Sequence, residues 1–178
     1  MKKKIATVWL AGCSGCHMSL LDMDERILDV LAVADIVKSP IVDGKKLPEV
    51  DVTVVEGAVG ADEHIEEIKH IRKQSKVLVS LGDCAINGNI SAMRNFYTVQ
   101  DALARSYADS DTNDAPQIPG CEDILTLDRK VVPLHDIVKV DYYIPGCPPT
   151  GDMIFYVLNE ILNDRVPDLQ KEGGLKNG

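Results

Sequence analysis

The chain has 178 residues, room for one domain of ordinary size and little for a second. Apolar residues make up 45% of it, enough for a sizeable buried core, which excludes wholesale disorder. Nineteen basic against twenty-eight acidic side chains leave a net charge of −9 with only 4% aromatics, a composition that disfavours nucleic acid and anionic lipid as partners.

Ile5–Leu10 is a short apolar run with β-branched residues, bounded by lysines and by Ala11-Gly12, which predicts a buried strand. With Met1-Lys2-Lys3-Lys4 before it and Gly12-Cys13 after it, the run also imitates a secretory leader. It sits at the short end of the usual apolar span of about 7–15 residues, and cleavage there would delete a strand, so a cytoplasmic chain is expected. No apolar run approaches the roughly 20 residues that span a bilayer.

Met18–Val33 carries Met18, Leu21, Ile27, Leu28 and Leu31 at helical spacing and predicts one helix. Ile36–Ser39 reads as a second strand, Asp43-Gly44 as a turn or hairpin tip, and Val52–Val55 as a strand ending at Glu56-Gly57. Glu63–Lys73 is an amphipathic helix with Ile65, Ile68 and Ile71 facing inward. Lys76–Leu81 is a strand closed by Gly82-Asp83-Cys84, and Ile90–Ala104 reads as a helix. Residues 107–120, with Asp109, Asp111, Asp114, Pro116 and Pro119, form an acidic surface loop without the glycine and terminal glutamate of a calcium loop. Asp123–Val138 fits no single element. Lys139–Ile144 is the last strand, running into Pro145-Gly146-Cys147-Pro148-Pro149, and Asp152–Leu162 is the closing helix. The glycine-rich end, 170–178, is expected to fray. Met18, Leu20, Met23, Met93 and Phe96 are read as core. Strands alternating with helices predict an α/β fold, a doubly wound, mostly parallel sheet with helices on both faces, and the chain 1–178 reads as a single domain.

In such sheets ligands gather outside the carboxyl ends of the strands. Cys13 and Cys16 follow the first strand, Cys84 follows Lys76–Leu81, and Cys147 follows Lys139–Ile144. Four cysteines scattered along the chain are therefore predicted to meet at one edge of one sheet. An odd number of widely spaced cysteines does not fit a disulfide-stapled secreted domain. Four convergent thiolates mean zinc or an iron–sulfur cluster. Structural zinc typically pairs two C-x-x-C hooks, and only one is present. A 4Fe–4S cube takes one thiolate per iron from separate loops and is favoured, with a non-redox zinc scaffold as the alternative. A thioredoxin-like dithiol at Cys13 and Cys16 would leave Cys84 and Cys147 unexplained, and an FMN carrier would need a phosphate-cradling loop that does not follow the first strand.

Cys121, after Pro119-Gly120, reads as a structural cysteine and is the alternative to Cys84 as a ligand. Glu56 ends its strand at the same edge. It reads as a solvated or capping carboxylate, or else as a proton relay or a carboxylate that replaces a thiolate on an oxidised cluster. His17 packs at a helix start or donates an N–H to a cluster sulfur. His64, His70 and His135 have no ligand-like spacing and read as surface or interface residues.

Cys13-Ser14-Gly15-Cys16, Gly82-Asp83-Cys84-Ala85-Ile86-Asn87-Gly88 and Pro145-Gly146-Cys147-Pro148-Pro149 together resemble the small subunits of nickel–iron hydrogenases and the related cluster-bearing subunit of complex I-type quinone oxidoreductases, over about residues 5–165. The resemblance implies a flavodoxin-like domain in which Cys13, Cys16, Cys84 and Cys147 ligate one 4Fe–4S cluster. The complex I relatives carry adjacent cysteines at the first motif, whereas Ser14 and Gly15 intervene here, which favours a hydrogenase. Neither a twin-arginine signal nor a further cluster domain is present, the chain ending about 30 residues after the last motif. A chain of this kind looks most like the small subunits of the cytoplasmic bidirectional NAD-reducing hydrogenases. By that resemblance its partners are a large subunit carrying the nickel–iron centre and a diaphorase or ferredoxin-like iron–sulfur subunit leading to FMN and NAD. No G-x-G-x-x-G or Walker A motif occurs, in keeping with nucleotide and flavin sites on partner subunits.

Overall fold

In the computed structural model, residues 2–44 and 46–170 are described. In chain order the elements are β1 (Lys3–Trp9), α1 (Gly15–Leu21), α2 (Ile27–Val33), β2 (Ala34–Lys38), β3 (Val50–Glu56), β4 (Val59–Ala61), α3 (Asp62–Gln74), β5 (Ser75–Leu81), α4 (Gly82–Asn87), α5 (Asn89–Ala92), α6 (Val99–Leu103), β6 (Leu127–Val132), β7 (Tyr142–Ile144) and α7 (Gly151–Leu162). The main sheet has the order β2-β1-β3-β5-β7, and every pairing in it is parallel. A small antiparallel pair, β4 with β6, stands beside it. The expected doubly wound α/β fold is therefore the observed one.

The strands read as continuous apolar runs because both of their faces are covered. Ile5, Val52, Val54, Val79 and Leu81 pack on one side with Leu20 of α1, Val30 of α2 and Ile154, Val157, Leu158 and Ile161 of α7. Val8, Val55 and Leu78 turn to the other side and meet Ile68 and Ile71 of α3 and Ala85 of α4. Neighbours along β3 and β5 thus serve opposite cores, as the period of two requires. A sheet of this order reverses its winding between β1 and β3, and the crevice at their carboxyl ends is the usual place for a ligand.

Several predicted elements are corrected. The single helix over Met18–Val33 is two: α1 ends at Leu21 with Asp22 as its cap, Asp24 takes a left-handed φ of 54°, and a 3-10 turn leads into α2. Gly151, the first residue of α7, packs on the Asp22–Met23 backbone at this break, where a Cβ would stand 3.0 Å from Asp22 C. The helix predicted over Ile90–Ala104 is also interrupted. Tyr97 is extended and Thr98 restarts the helix as α6 through a capping box with Asp101. The cause is tertiary: the Asn95 side chain binds the Val131 backbone both ways, at 2.7 Å each, and so stands in for a strand neighbour of β6. Asp123–Val138, unassigned from sequence, supplies β6. Asp43-Gly44 is no hairpin tip, because β1 lies between β2 and β3, and the hydrogen-bonded turn falls just before it, from the Val42 amide to the Ser39 carbonyl at 3.2 Å. Leu20 and Met23 are buried as expected, whereas Met18, Met93 and Phe96 are exposed, Phe96 by 84%. The predicted tail falls, past Gln170, outside the described residues.

Candidate functional site

Three loops at the carboxyl edge of the sheet carry the four predicted cysteines. Cys13 lies in the loop after β1 and Cys16 in the first turn of α1; Cys84 is in α4 directly after β5, and Cys147 follows β7. These loops are tied together. The Asp83 amide donates to the Gly146 carbonyl at 2.9 Å while the Gly146 amide donates to Asp83 Oδ1 at 2.8 Å, a reciprocal latch between the Cys84 and Cys147 loops. Ser19 Oγ of α1 donates to the Pro149 carbonyl, and Ser91 Oγ donates to the Ala11 carbonyl at 2.9 Å.

Cys16 is the buried member of the set; Cys84 is half-buried, and Cys13 and Cys147 are exposed. Burial pushes the Cys16 thiol far above its ordinary range, and the charges of Glu56, Cys13, Cys84 and Cys147 push in the same direction. The sulfurs therefore share one electrostatic neighbourhood, and a second thiolate there is unfavourable without a cationic centre among them. N–H donors already face two of them, from Gly15 N to Cys13 Sγ at 3.4 Å and from Asn89 Nδ2 to Cys147 Sγ at 3.2 Å, the kind of contact that tunes a thiolate ligand.

Gly82 makes the approach possible. Its φ is +79°, a region that side chains rarely adopt, and a Cβ there would overlap Cys16 Sγ. Among the described residues, no three His, Cys, Asp or Glu side chains close on a single metal ion. Four thiols from three loops, Cys13, Cys16, Cys84 and Cys147, match in number the one thiolate per iron that a four-iron cluster takes.

Glu56 is not solvated. It is 2% exposed at the end of β3, where it pairs in register with Trp9. Its Oε2 accepts from the His17 amide at 2.9 Å and from His17 Nδ1 at 2.5 Å, and its Oε1 accepts from the Cys16 amide at 3.4 Å. His17, 1% exposed, is thus bound to the carboxylate, with its Nε2 left without a partner among the described residues. His64 is half-buried, while His70 and His135 are exposed. Cys121 is exposed on the segment between α6 and β6 rather than packed as a small core residue. Sequence reasoning missed the Asp83 latch and the Asn89 donor. Asp83 follows Gly82 and Asn89 follows Gly88, but their partners, the Gly146 amide and Cys147 Sγ, lie on a loop some sixty residues away.

Residues 13–161 match the family model described as the 20 kDa subunit of NADH ubiquinone oxidoreductase, and the chain belongs to that family. Within it the likeness is to hydrogenase small subunits. The delta subunit of the NAD-reducing hydrogenase HoxS of Cupriavidus necator is 43% identical over 176 residues, covering 94% of this chain and 82% of the relative. A subunit of the F420-non-reducing hydrogenase vhu of Methanocaldococcus jannaschii is 42% identical over 93% of this chain, which spans 58% of that relative. Among solved structures, a chain from an NAD+-reducing [NiFe]-hydrogenase in the H2-reduced state superposes with a TM-score of 0.91 at 38% identity, over 94% of this chain and 95% of that one. The protein is accordingly a subunit of an oxidoreductase of the hydrogenase class. No helix among the described residues is long and apolar enough to cross a membrane.

Proposed function

We propose that this chain is the electron-relay subunit of a cytoplasmic NAD-reducing nickel–iron hydrogenase, holding one 4Fe–4S cluster on Cys13, Cys16, Cys84 and Cys147. The observation that carries the reading is the gathering of these thiols on tied loops: Asp83 and Gly146 latch the Cys84 and Cys147 loops, Ser19 of α1 holds Pro149, and Gly82 abuts Cys16 Sγ. The likeness to the delta subunit of a NAD-reducing hydrogenase supports the assignment to that system. A cluster of this type supplies one-electron transfer when bound.

The chain's own contribution is positional. Cys16 anchors the buried side of the site, Gly82 leaves room for its sulfur, and the Gly15 and Asn89 N–H groups oppose the negative charge of Cys13 and Cys147. Cys13 and Cys147 are exposed, and exposed apolar residues belong to the same loops: Trp9 before Cys13, Met18 in α1, and Ile90 next to Asn89, whose side chain donates to Cys147 Sγ. A relay must sit against both donor and acceptor, so this rim is where the subunits would dock. One is a large subunit that cleaves hydrogen at a nickel–iron centre; the other is a diaphorase or ferredoxin-like iron–sulfur subunit that passes electrons toward FMN and NAD.

Cys84→Ser in the purified complex tests the reading. It should abolish hydrogen-dependent NAD reduction and remove this subunit's iron–sulfur absorbance while diaphorase activity with an artificial donor survives. Undiminished hydrogen-dependent NAD reduction at full iron content would reject it.

A further inference from the structure

Burying a carboxylate is unfavourable unless its oxygens are satisfied, and Glu56 is satisfied almost entirely by its neighbour in space, His17. Both donors to Oε2 belong to that residue, its backbone N–H at 2.9 Å and its ring Nδ1 at 2.5 Å. Oε1 has a single longer bond, 3.4 Å from the Cys16 amide, and lies 3.7 Å from where a Cβ on Gly12 would stand. The carboxylate is therefore lodged inside the Cys13–Cys16 loop, one side of it fastened and the other facing the ligand loop.

The imidazole has little freedom. It is 1% exposed and packs edge-on against Trp9, with ring centroids 5.3 Å apart at an interplanar angle of 72°. Trp9 is the residue beside Glu56 across the β1–β3 pairing, so the ring is wedged between its strand neighbour and the carboxylate. A carboxylate oxygen accepts, so Nδ1 carries the proton. The price of this placement is Nε2, buried without a hydrogen-bond partner among the described residues. A leucine or methionine would fill the same space without stranding a polar atom. What a histidine adds here is the Nδ1–H bond to Oε2.

We propose that His17 is a positioning residue, whose ring and backbone amide pin the Glu56 carboxylate under the Cys16 turn and hold it off the metal. This assigns Glu56 a fixed second-layer charge instead of an exchangeable place among the ligands. It rests on the cluster assignment above. If that assignment fails, Cys16→Ser will retain its iron whatever His17 does, so the two failures are separable.

The experiment uses the purified hydrogenase complex carrying E56Q, H17L, H17N, H17Q or H17L with E56Q, read by iron content, the spectrum of the reduced cluster in electron paramagnetic resonance, and its midpoint potential. Asparagine can place an N–H near the position of Nδ1 and glutamine cannot. The expected result is a displaced potential and altered g-values in H17L, a return to the native spectrum in H17N, and no shift in the double variant beyond that of E56Q. Native behaviour in H17L, or a full additional shift when H17L is combined with E56Q, would overturn the proposal. Should H17L load no iron, H17N and H17Q decide: iron recovered by asparagine alone supports the pin, and equal recovery by both contradicts it.

Discussion

At the amino ends of β1, β5 and β7, charged side chains pair at or near the surface. Lys3 reaches Asp164 at 2.5 Å and Lys76 reaches Asp51 at 2.7 Å, each pair with one partner largely exposed, while Arg72 reaches Asp141 at 2.6 Å with both partly buried. At the carboxyl edge of the sheet the ionisable groups go inside: Glu56 at the end of β3 and His17 after β1 pair at 2% and 1% exposure, and Cys16 lies beside them. Positive φ does not follow this division: it occurs at Ser14, Gly82 and Gly146 in the cysteine loops, but also at Asp24 and at Asp164, the partner of Lys3. Exposed pairs contribute little and tolerate replacement. Buried polar groups are costly, and structures retain them where a site requires them. The contrast locates the site on physical grounds that do not depend on the cysteines.

Gly82→Ala should separate the two ends most sharply. The new Cβ would overlap Cys16 Sγ at a φ that alanine disfavours, a loss of about 2–4 kcal/mol. We expect most of the iron to be lost and the melting temperature to fall. Asp83→Ala should come next. It breaks one half of the latch to Gly146 and leaves an amide unsatisfied, at about 1–2 kcal/mol, with iron released faster to a chelator than from the native protein.

At the opposite end, Asp141→Asn keeps an acceptor for the Leu78 amide and removes only the charge facing the partly buried Arg72, so it should cost about 1 kcal/mol, and its effect should depend on pH. Burial alone would raise the Asp141 carboxyl, but the Leu78 amide and the Arg72 guanidinium outweigh it and hold the group below its usual value. A carboxyl depressed on folding stabilises above its unfolded value, and that contribution disappears as pH falls through the folded one. The melting-temperature advantage of the native protein over the variant should therefore persist at neutral pH and vanish as the solution is acidified below about pH 4. The smallest effect is expected at Ser80, buried in β5 with its hydroxyl unpartnered among the described residues. Ser80→Ala should be neutral or stabilising by up to about 1 kcal/mol, whereas a clear loss of melting temperature would reveal a partner for that hydroxyl.

Much of this contrast is legible in the sequence. In a parallel sheet all carboxyl ends share one edge, so Cys13, Cys16, Cys84 and Cys147 can be assigned to it from strand positions alone. β1, β3 and β5 are located to within a few residues because strands covered on both faces read as unbroken apolar runs. The failures have a common physical origin in long-range contacts. Asn95 breaks the helix around Tyr97 by pairing with Val131, 36 residues away, although the Thr98–Asp101 capping box is readable locally. Hydrophobic spacing does not tell Met93 and Phe96, which are exposed, from core residues. Glu56 can be placed at the right edge, but its partner cannot, since nothing local in the sequence links positions 17 and 56.

The cluster assignment is tested most simply by the quantity of iron and acid-labile sulfide in the purified subunit, measured for the native chain, Cys121→Ser and Cys84→Ser. We predict about four iron and four sulfide per chain in the first two and loss of most of both in the third. Zinc without sulfide in the native chain, or iron lost with Cys121 and kept without Cys84, would refute that assignment.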